Sequence, residues 1–492
     1  MMPSEQPGTA PGAKLCITDF TNDDRVKTAL AQLKAHFQAG PDDGGQLVVS
    51  DVLDDHGHQY VNLVQKGGGV LGIALVGYTY ILEEMGIRFL RLAGTSAGAI
   101  NTALITVVKN KEDRKSAEVL QAICDLDFFS LVDGHPAARY LIKRFITNKK
   151  FISRLRNGLL GLLGVFLLFI AGDVVLTGLS NKYESLYLLT GLCFIASGFT
   201  SLIIAVIVYY ISNLLKRLKN SGFGINPGDV FYDWIKRLLL ANGVVTVSDL
   251  KAKAAGAPSL HLRVPNDSGL KDLTGDVTFI TSELVTQNKI QFPAMCSLFR
   301  TDIDALQPAG FIRASMSIPV FFESYMINNI PADDKRIKAA WEQFFGYAPP
   351  PSSARFVDGG ILSNFPISIF YNNSVATPRL PTFGIDLDDR QPADKEENPF
   401  GWSLTGYMGR MFNTIRNYYD KDFLLKNKVY QRGIGKVDLS SDKYNWLNFF
   451  LPNQDKIDMF ALGAQAACEF LINFNWDEYK NERKTLQIQL NK

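Results

Sequence analysis

The chain has 492 residues, 47% of them apolar and 20% charged, and its 51 lysines and arginines nearly balance 49 acidic residues for a formal net charge of +2. That length suits one large α/β core, and so even a balance gives no case for nucleic acid as a partner. The cysteines Cys16, Cys124, Cys193, Cys296 and Cys468 are scattered and odd in number, which is neither a disulfide framework nor a metal-ligand spacing and fits a reducing compartment.

Residues 1–14 are polar and contain prolines without an apolar run, so no signal peptide is expected, and the stretch to about 20 reads as disordered. Residues 23–39 have helical spacing and end at a turn-rich stretch, 40–45; this part, 1–58, is read as an N-terminal extension. His56 and His58 in it read as a solvated turn rather than metal ligands. Tyr60-Val61-Asn62-Leu63-Val64 is then a short apolar strand running into Gly67-Gly68-Gly69-Val70-Leu71-Gly72, followed by a helix over 73–85. A glycine triplet between strand and helix leaves backbone amides uncovered, able to bind an oxyanion or a phosphate. Gly67, Gly69 and Gly72 also match the G-x-G-x-x-G of dinucleotide sites. That reading needs an acidic residue about twenty positions on, where the chain has the strand 87–92 instead, so the oxyanion reading is preferred.

After that strand comes Gly94-Thr95-Ser96-Ala97-Gly98, and a helix over 99–105. A G-x-S-x-G between strand and helix makes a sharp turn that lifts a serine hydroxyl out of the sheet. It places that hydroxyl at a helix N-terminus, where backbone amides favour developing negative charge.

Residues 187–211 carry no charge. That run of about 25 residues exceeds the ~20 needed to cross a ~30 Å hydrocarbon core at about 1.5 Å per residue. Residues 158–179 are long enough to be its partner, with Asp173 placed toward the far end, where interfacial water is within reach. An ion pathway would need polar groups along the bilayer, and the second span offers only Thr190, Ser197, Thr200 and Ser201. Gly158, Gly161 and Gly164 repeat every third residue, a spacing that lets helices pack closely. Lys143, Arg144, Lys149, Lys150, Arg154 and Arg156 precede the hairpin and Lys216, Arg217 and Lys219 follow it, against Lys182 alone in the loop. The positive-inside rule therefore puts both termini and the catalytic domain in the cytoplasm, with the basic flanks facing anionic head groups.

Downstream, apolar strands recur at 277–280, 356–357 and 382–385. Alternation of strands with helices is the pattern of a largely parallel sheet wrapped in helices. Pro349-Pro350-Pro351 is a stiff spacer, 391–399 a charged surface loop, and 403–427 and 455–473 closing helices, before a tail at 476–492. The aromatic stretch 446–451 reads as core rather than as a loop dipping into lipid. Arg355-Phe356-Val357-Asp358-Gly359-Gly360 is a short strand ending in a carboxylate beside two glycines, placed to approach a serine hydroxyl as general base. The histidines are His36, His56, His58, His135 and His261, and none follows Asp358. A triad in the chain order Ser, acid, His is therefore closed to this aspartate, and a Ser–Asp dyad remains.

Glycine triplet, G-x-S-x-G and D-G-G in this order resemble the patatin-like phospholipases, Ser–Asp lipid acyl hydrolases. Gly228-Asp229-Val230-Phe231-Tyr232-Asp233-Trp234, Arg313-Ala314-Ser315-Met316-Ser317-Ile318-Pro319 and Phe383-Gly384-Ile385 look like the same family. The resemblance covers most of 59–475, interrupted by the hairpin at 158–211. It implies a three-layer α/β/α fold with a largely parallel central sheet, Ser96 as nucleophile and Asp358 as base. It also implies an oxyanion hole from the amides of Gly68, Gly69 and Val70 with Gly67 beside them, and structural roles for Gly72, Gly94, Gly98, Gly359 and Gly360. Leu71 stands where the family usually carries a lysine or arginine. The expected substrates are membrane phospholipids, with no metal and no cofactor, since a calcium requirement would demand a carboxylate cluster at loop spacing. A catalytically silent membrane scaffold of the same fold, or a serine peptidase, is the alternative.

Overall fold

The computed structural model describes residues 14–38, 46–147, 151–263, 273–346, 349–372, 375, 377–388, 404–441 and 443–490. The start of the stretch read as disordered, the turn at 40–45 and the charged loop at 391–399 lie outside them. The strands are β1 (Val52–Asp54), β2 (Gln59–Gln65), β3 (Ile87–Thr95), β4 (Gly224–Asn226), β5 (Leu260–Leu262), β6 (Asp276–Glu283), β7 (Asn288–Phe292), β8 (Val320–Phe322), β9 (Tyr325–Ile327), β10 (Ala354–Asp358), β11 (Thr382–Asp388) and β12 (Ile434–Asp438). The chain divides into two compact units, one made of 133–227 with 320–323 and the other of the remainder.

In the larger unit β12, β11, β2, β3 and β6 run parallel in that order. Every residue of β2 is buried, as expected of a parallel strand covered on both faces. β10 and then β9 extend the sheet antiparallel, and β7 folds back on β6. β1 pairs antiparallel with β2 and β5. The result is a mixed sheet whose central strands are mostly parallel.

One group of helices gathers around Ile73–Glu84, which packs on Asn453–Asn473, itself packed on Asp24–Gln38; a second gathers around Ala97–Val107 with Val247–Ala255 and Ala309–Ser315. The first pair meets backbone to backbone. A Cβ on Gly77 would lie 2.0 Å from the Phe460 carbonyl oxygen, and one on Gly463 would lie 2.0 Å from that of Ala74. The tail at 476–492 is a helix as far as Leu490, Trp476–Leu490, and it buries Trp476 and Tyr479 against the core. Phe449 and Leu451 of the aromatic stretch are buried too.

The smaller unit holds the helices Pro136–Thr147, Phe151–Ser180 and Tyr187–Asn220 and the parallel ladder of β4 with β8. The last two helices are long and apolar enough to cross a membrane, and Leu168, Val174, Leu188 and Ile195 on them are each at least 70% exposed.

Two expectations change here. Asp173 does not reach outward: it is buried, facing Cys193 of the second helix. Thr190, Ser197 and Thr200 are buried as well, so the polar groups share the helix–helix seam. A carboxyl group on an apolar helix is least costly where it turns away from hydrocarbon, and the seam offers that place. Nor do Gly158, Gly161 and Gly164 mediate close packing, since a Cβ on any of them would meet nothing within 4 Å; Gly172 is the close one, 3.1 Å from the Cys193 sulfur by the same measure.

The backbone contact at Gly463 has a direct test. Alanine there must push two helices apart, and overpacking of this kind costs about 1–3 kcal/mol. Gly463→Ala should therefore lower the unfolding free energy by that amount, read as a lower denaturant midpoint with an unchanged slope; a midpoint equal to wild type would contradict the contact.

Candidate active site

β6 brings the two sequence-predicted catalytic residues together. β7 pairs along 279–283 of β6, so β3 and β10 must share its other edge. Thr95, the last residue of β3, pairs with Ile280, and Asp358, the last residue of β10, pairs with Thr281. The two strands approach each other from opposite directions, and their carboxyl ends meet at neighbouring residues of β6. Gly359 must lie against both partners: a Cβ there would be 2.2 Å from the Ile280 carbonyl oxygen and 3.0 Å from Thr95 Cγ2.

Ser96 follows Thr95 with φ 54 and ψ −121, a conformation that costs a non-glycine residue about 1–3 kcal/mol. The turn closes because Gly94 and Gly98 have no side chains: a Cβ on Gly94 would lie 2.3 Å from the Gly98 carbonyl oxygen, and one on Gly98 would lie 2.3 Å from that of Gln65. The Ser96 hydroxyl rests on Met316 Sδ at 3.3 Å, a weak acceptor. Its own N–H donates to Ser315 Oγ at 3.0 Å, and the Ser315 hydroxyl donates to the Ile280 carbonyl at 2.6 Å. Two residues on, the Ser317 carbonyl accepts the Asp358 N–H at 2.8 Å. One short segment thus brackets Ser96 and Asp358. Asp358 Oδ1 accepts the Gly360 N–H at 2.7 Å.

The glycine turn lies over the serine. A Cβ on Gly67 would sit 3.1 Å from Ser96 Cβ, and one on Gly72 would sit 2.9 Å from Ala97 Cβ. The four amides of this turn differ. Gly67 N–H donates to the Asn364 carbonyl at 2.9 Å and Val70 N–H to the Trp446 carbonyl at 3.1 Å. Those two are committed in this conformation, which makes Gly68 and Gly69 the candidate donors for an oxyanion. Gly69, at φ 55, could not carry a side chain, because its Cβ would fall 2.2 Å from the Trp446 oxygen. Leu71 is fully buried, so the position usually held by a cation is a packing position here.

A narrow apolar cleft of about 50 Å³ opens beside the serine turn, lined by Val70, Ala97, Ile100, Leu131, Phe231, Trp234, Met316 and Phe449 among others. The histidines stand elsewhere: His58 bonds Asp54 at 2.9 Å and Arg88 at 3.2 Å, and His261 lies 3.7 Å from Asp55. Among the described residues no group of three His, Cys, Asp or Glu side chains is placed to hold a metal ion. Roles for Ser315, Asn364 and Trp446 were not read from the sequence. For Ser315 a signal existed, two serines in the R-A-S-M-S-I-P stretch; Trp446 acts through its backbone carbonyl, which any residue carries, and Asn364 through its carbonyl and side-chain amide.

A sequence model of the patatin-like phospholipases matches residues 63–371. The uncharacterized protein YqhO of Bacillus subtilis is 25% identical over 415 residues, covering 84% of this chain and 98% of its own length. Among solved structures, VipD of Legionella pneumophila shares 14% identity at a TM-score of 0.38, over 88% of this chain and 71% of that one. ExoU of Pseudomonas aeruginosa, in its complex with SpcU, shares 14% at a TM-score of 0.31, over 86% of this chain and 52% of that one.

Strain at Ser96 can be separated from its chemistry. Glycine relieves the positive φ, whereas alanine keeps it. Ser96→Gly should unfold at a higher temperature than Ser96→Ala, with a stability gap larger than the ~1 kcal/mol by which glycine exceeds alanine at an ordinary N-cap; a lower melting point for the glycine variant would show the turn to be unstrained.

Proposed function

The chain belongs to the patatin-like phospholipase family of lipid ester hydrolases, and we propose that it cleaves carboxylic ester bonds of membrane phospholipids through Ser96 and Asp358. The observation that carries this reading is the meeting of the two strand ends on adjacent residues of β6. Asp358 takes the Ser96 proton as Oγ attacks the ester carbonyl carbon. The tetrahedral oxyanion lies on the Gly68 and Gly69 amides, where loss of one donor typically costs about 100–1000-fold in rate. Collapse expels the alcohol, which leaves with the proton held by Asp358, and the acyl group stays on Ser96. Water then gives a proton to Asp358 and attacks the acyl-enzyme, and Ser96 leaves with that proton. The small apolar cleft beside Ala97 meets the acyl carbons next to the carbonyl, with a lining that offers packing rather than hydrogen bonds.

The hairpin serves as a membrane anchor with both basic flanks on the cytoplasmic side. Two long apolar helices with exposed leucines and valines support it, and so do Lys216, Arg217 and Lys219 at the end of the second. Anchoring raises the local concentration of lipid at the site without any new contact there.

Ser96→Ala and Asp358→Asn should each bring hydrolysis of a short-chain p-nitrophenyl ester to background, while His135→Ala and His261→Ala keep most of it. A folded histidine variant as inactive as Ser96→Ala would remove the dyad assignment, and wild type at background would favour a silent scaffold. Phospholipid vesicles offered beside a peptide substrate separate lipase from peptidase.

Replacing 158–211 with a Gly/Ser linker should leave the soluble ester reaction within about twofold and sharply slow attack on vesicle phospholipid, the effective-concentration gain being lost. Equal vesicle rates would show that the hairpin contributes nothing to substrate access.

A further inference from the structure

We propose that Asp420, on the helix Leu404–Lys426, is a positioning residue for the reaction: it clamps the segment 363–365, which in turn holds the glycine turn and the nucleophile strand in register. The inference rests on the hydrolase reading above and adds a residue outside the matched 63–371 span.

The contacts run in two steps. Asp420 is buried, and its two oxygens accept from consecutive parts of the segment, Oδ1 from the Ser363 hydroxyl at 2.7 Å and Oδ2 from the Phe365 N–H at 2.8 Å. Two of the segment's residues then reach the site. The Ser363 carbonyl accepts the Thr95 hydroxyl at 3.0 Å, one residue before the nucleophile. The Asn364 carbonyl accepts the Gly67 N–H at 2.9 Å, and the Asn364 side-chain amide donates to the Gly67 carbonyl at 3.3 Å. Asn364 Oδ1, buried and without a partner among the described residues, would be 2.5 Å from a Cβ on Gly67, so the segment presses on the turn that carries the Gly68 and Gly69 amides.

A folded core alone does not call for this arrangement. Phe365 already packs with Ile367, Tyr430 and Tyr479, and an apolar residue at 420 would extend that cluster. A buried carboxylate is instead spent on fixing two backbone-linked points within one tripeptide. The charged form makes the stronger bonds, about twice neutral ones. Burial pushes the Asp420 pKa up to about 6, opposed by the Phe365 and Ser363 donors and by the ammonium of Lys289. Lys289, on β7, lies over the Tyr419 ring at 4.1 Å, and on Asp420's own helix Asp422 is paired with Lys426. The folded pKa is raised, so the carboxylate, and with it the stronger clamp, is present above about pH 6 and is lost as pH falls through it.

The test uses the full chain in detergent micelles with p-nitrophenyl butyrate, and Ser96→Ala sets the floor. Asp420→Ala should lower kcat by about 10–100-fold with KM within about twofold, the scale expected of a small misplacement of reacting groups. Asp420→Asn keeps the shape, its oxygen accepting the Phe365 N–H and its amide nitrogen donating to the Ser363 hydroxyl, which turns to accept, so it should recover most of that loss. The ratio of wild-type to Asp420→Asn activity should then fall toward one as pH drops from 8 to 5, with titration of Asp358 common to both and cancelling. In hydrogen exchange, Asp420→Ala should speed the amides of 66–71 and leave those of Ala97–Val107 unchanged. A folded Asp420→Ala at the wild-type rate, a pH-independent ratio, or exchange that rises equally in both segments overturns the proposal. Wild type at the Ser96→Ala floor would instead sink the hydrolase reading, and the exchange measurement then decides the clamp alone.

Discussion

The candidate site in this fold hangs on one edge of β6. A strand has two edges, and β7 takes one of them along 279–283. Strands arriving on the other must therefore divide it end to end, with β3 stopping at Ile280 and β10 stopping at Thr281. A parallel strand and an antiparallel one sharing an edge point their carboxyl ends at each other. A serine after one and an aspartate at the end of the other are brought together by backbone pairing alone, before any side chain makes a choice. The antiparallel run of β10 on the edge it shares with the parallel β3 is thus what brings the two strand ends together.

That junction leaves little room, and the residues around it lack side chains or carry small hydroxyl groups for that reason. Gly359 accommodates the Ile280 carbonyl, Gly94 that of Gly98, and Gly67 the Ser96 side chain. The Ile280 carbonyl, caught between the strand ends, still needs a donor, and the Ser315 hydroxyl supplies it while accepting the Ser96 N–H. A buried carbonyl left alone would cost about 1–3 kcal/mol. The same hydroxyl thus satisfies the sheet and steadies the strained nucleophile. Fixing these groups in advance matters because reorganisation during the reaction would otherwise be added to its barrier.

The hairpin sorts its residues differently. Its outward residues are leucine, valine, isoleucine and phenylalanine with most of their surface exposed, which water would penalise and hydrocarbon would not. Its polar groups sit between the helices, with Asp173 beside Cys193 and with Thr190, Ser197 and Thr200 bonding carbonyls of their own helix. The polarity is inverted relative to the larger unit, where the apolar side chains are inside. Two units of one chain therefore sort their residues by opposite rules.

How much of this could be read beforehand follows the range of the interactions involved. β2, β3 and the helices after them announce themselves through apolar runs and glycine turns, and Ser96 and Asp358 through motifs of five or six residues; these are local signals. Asp173 was misplaced because sequence shows distance along a helix but not which neighbour faces it, and a seam requires a second helix. The amides of Gly67 and Val70 could not be told from those of Gly68 and Gly69, since their partners, the carbonyls of Asn364 and Trp446, lie about 300 residues or more away along the chain and carry no side-chain signature. Asp420 was hidden for a related reason. In Asn-Tyr-Tyr-Asp-Lys-Asp-Phe it reads as one acid of two on a charged helix, and only burial distinguishes it from Asp422, whose exposed carboxylate pairs with Lys426 on the same helix. Motifs mark where bonds are broken, whereas the groups that hold those motifs still are recognised by what surrounds them, and that is settled only when the chain has folded.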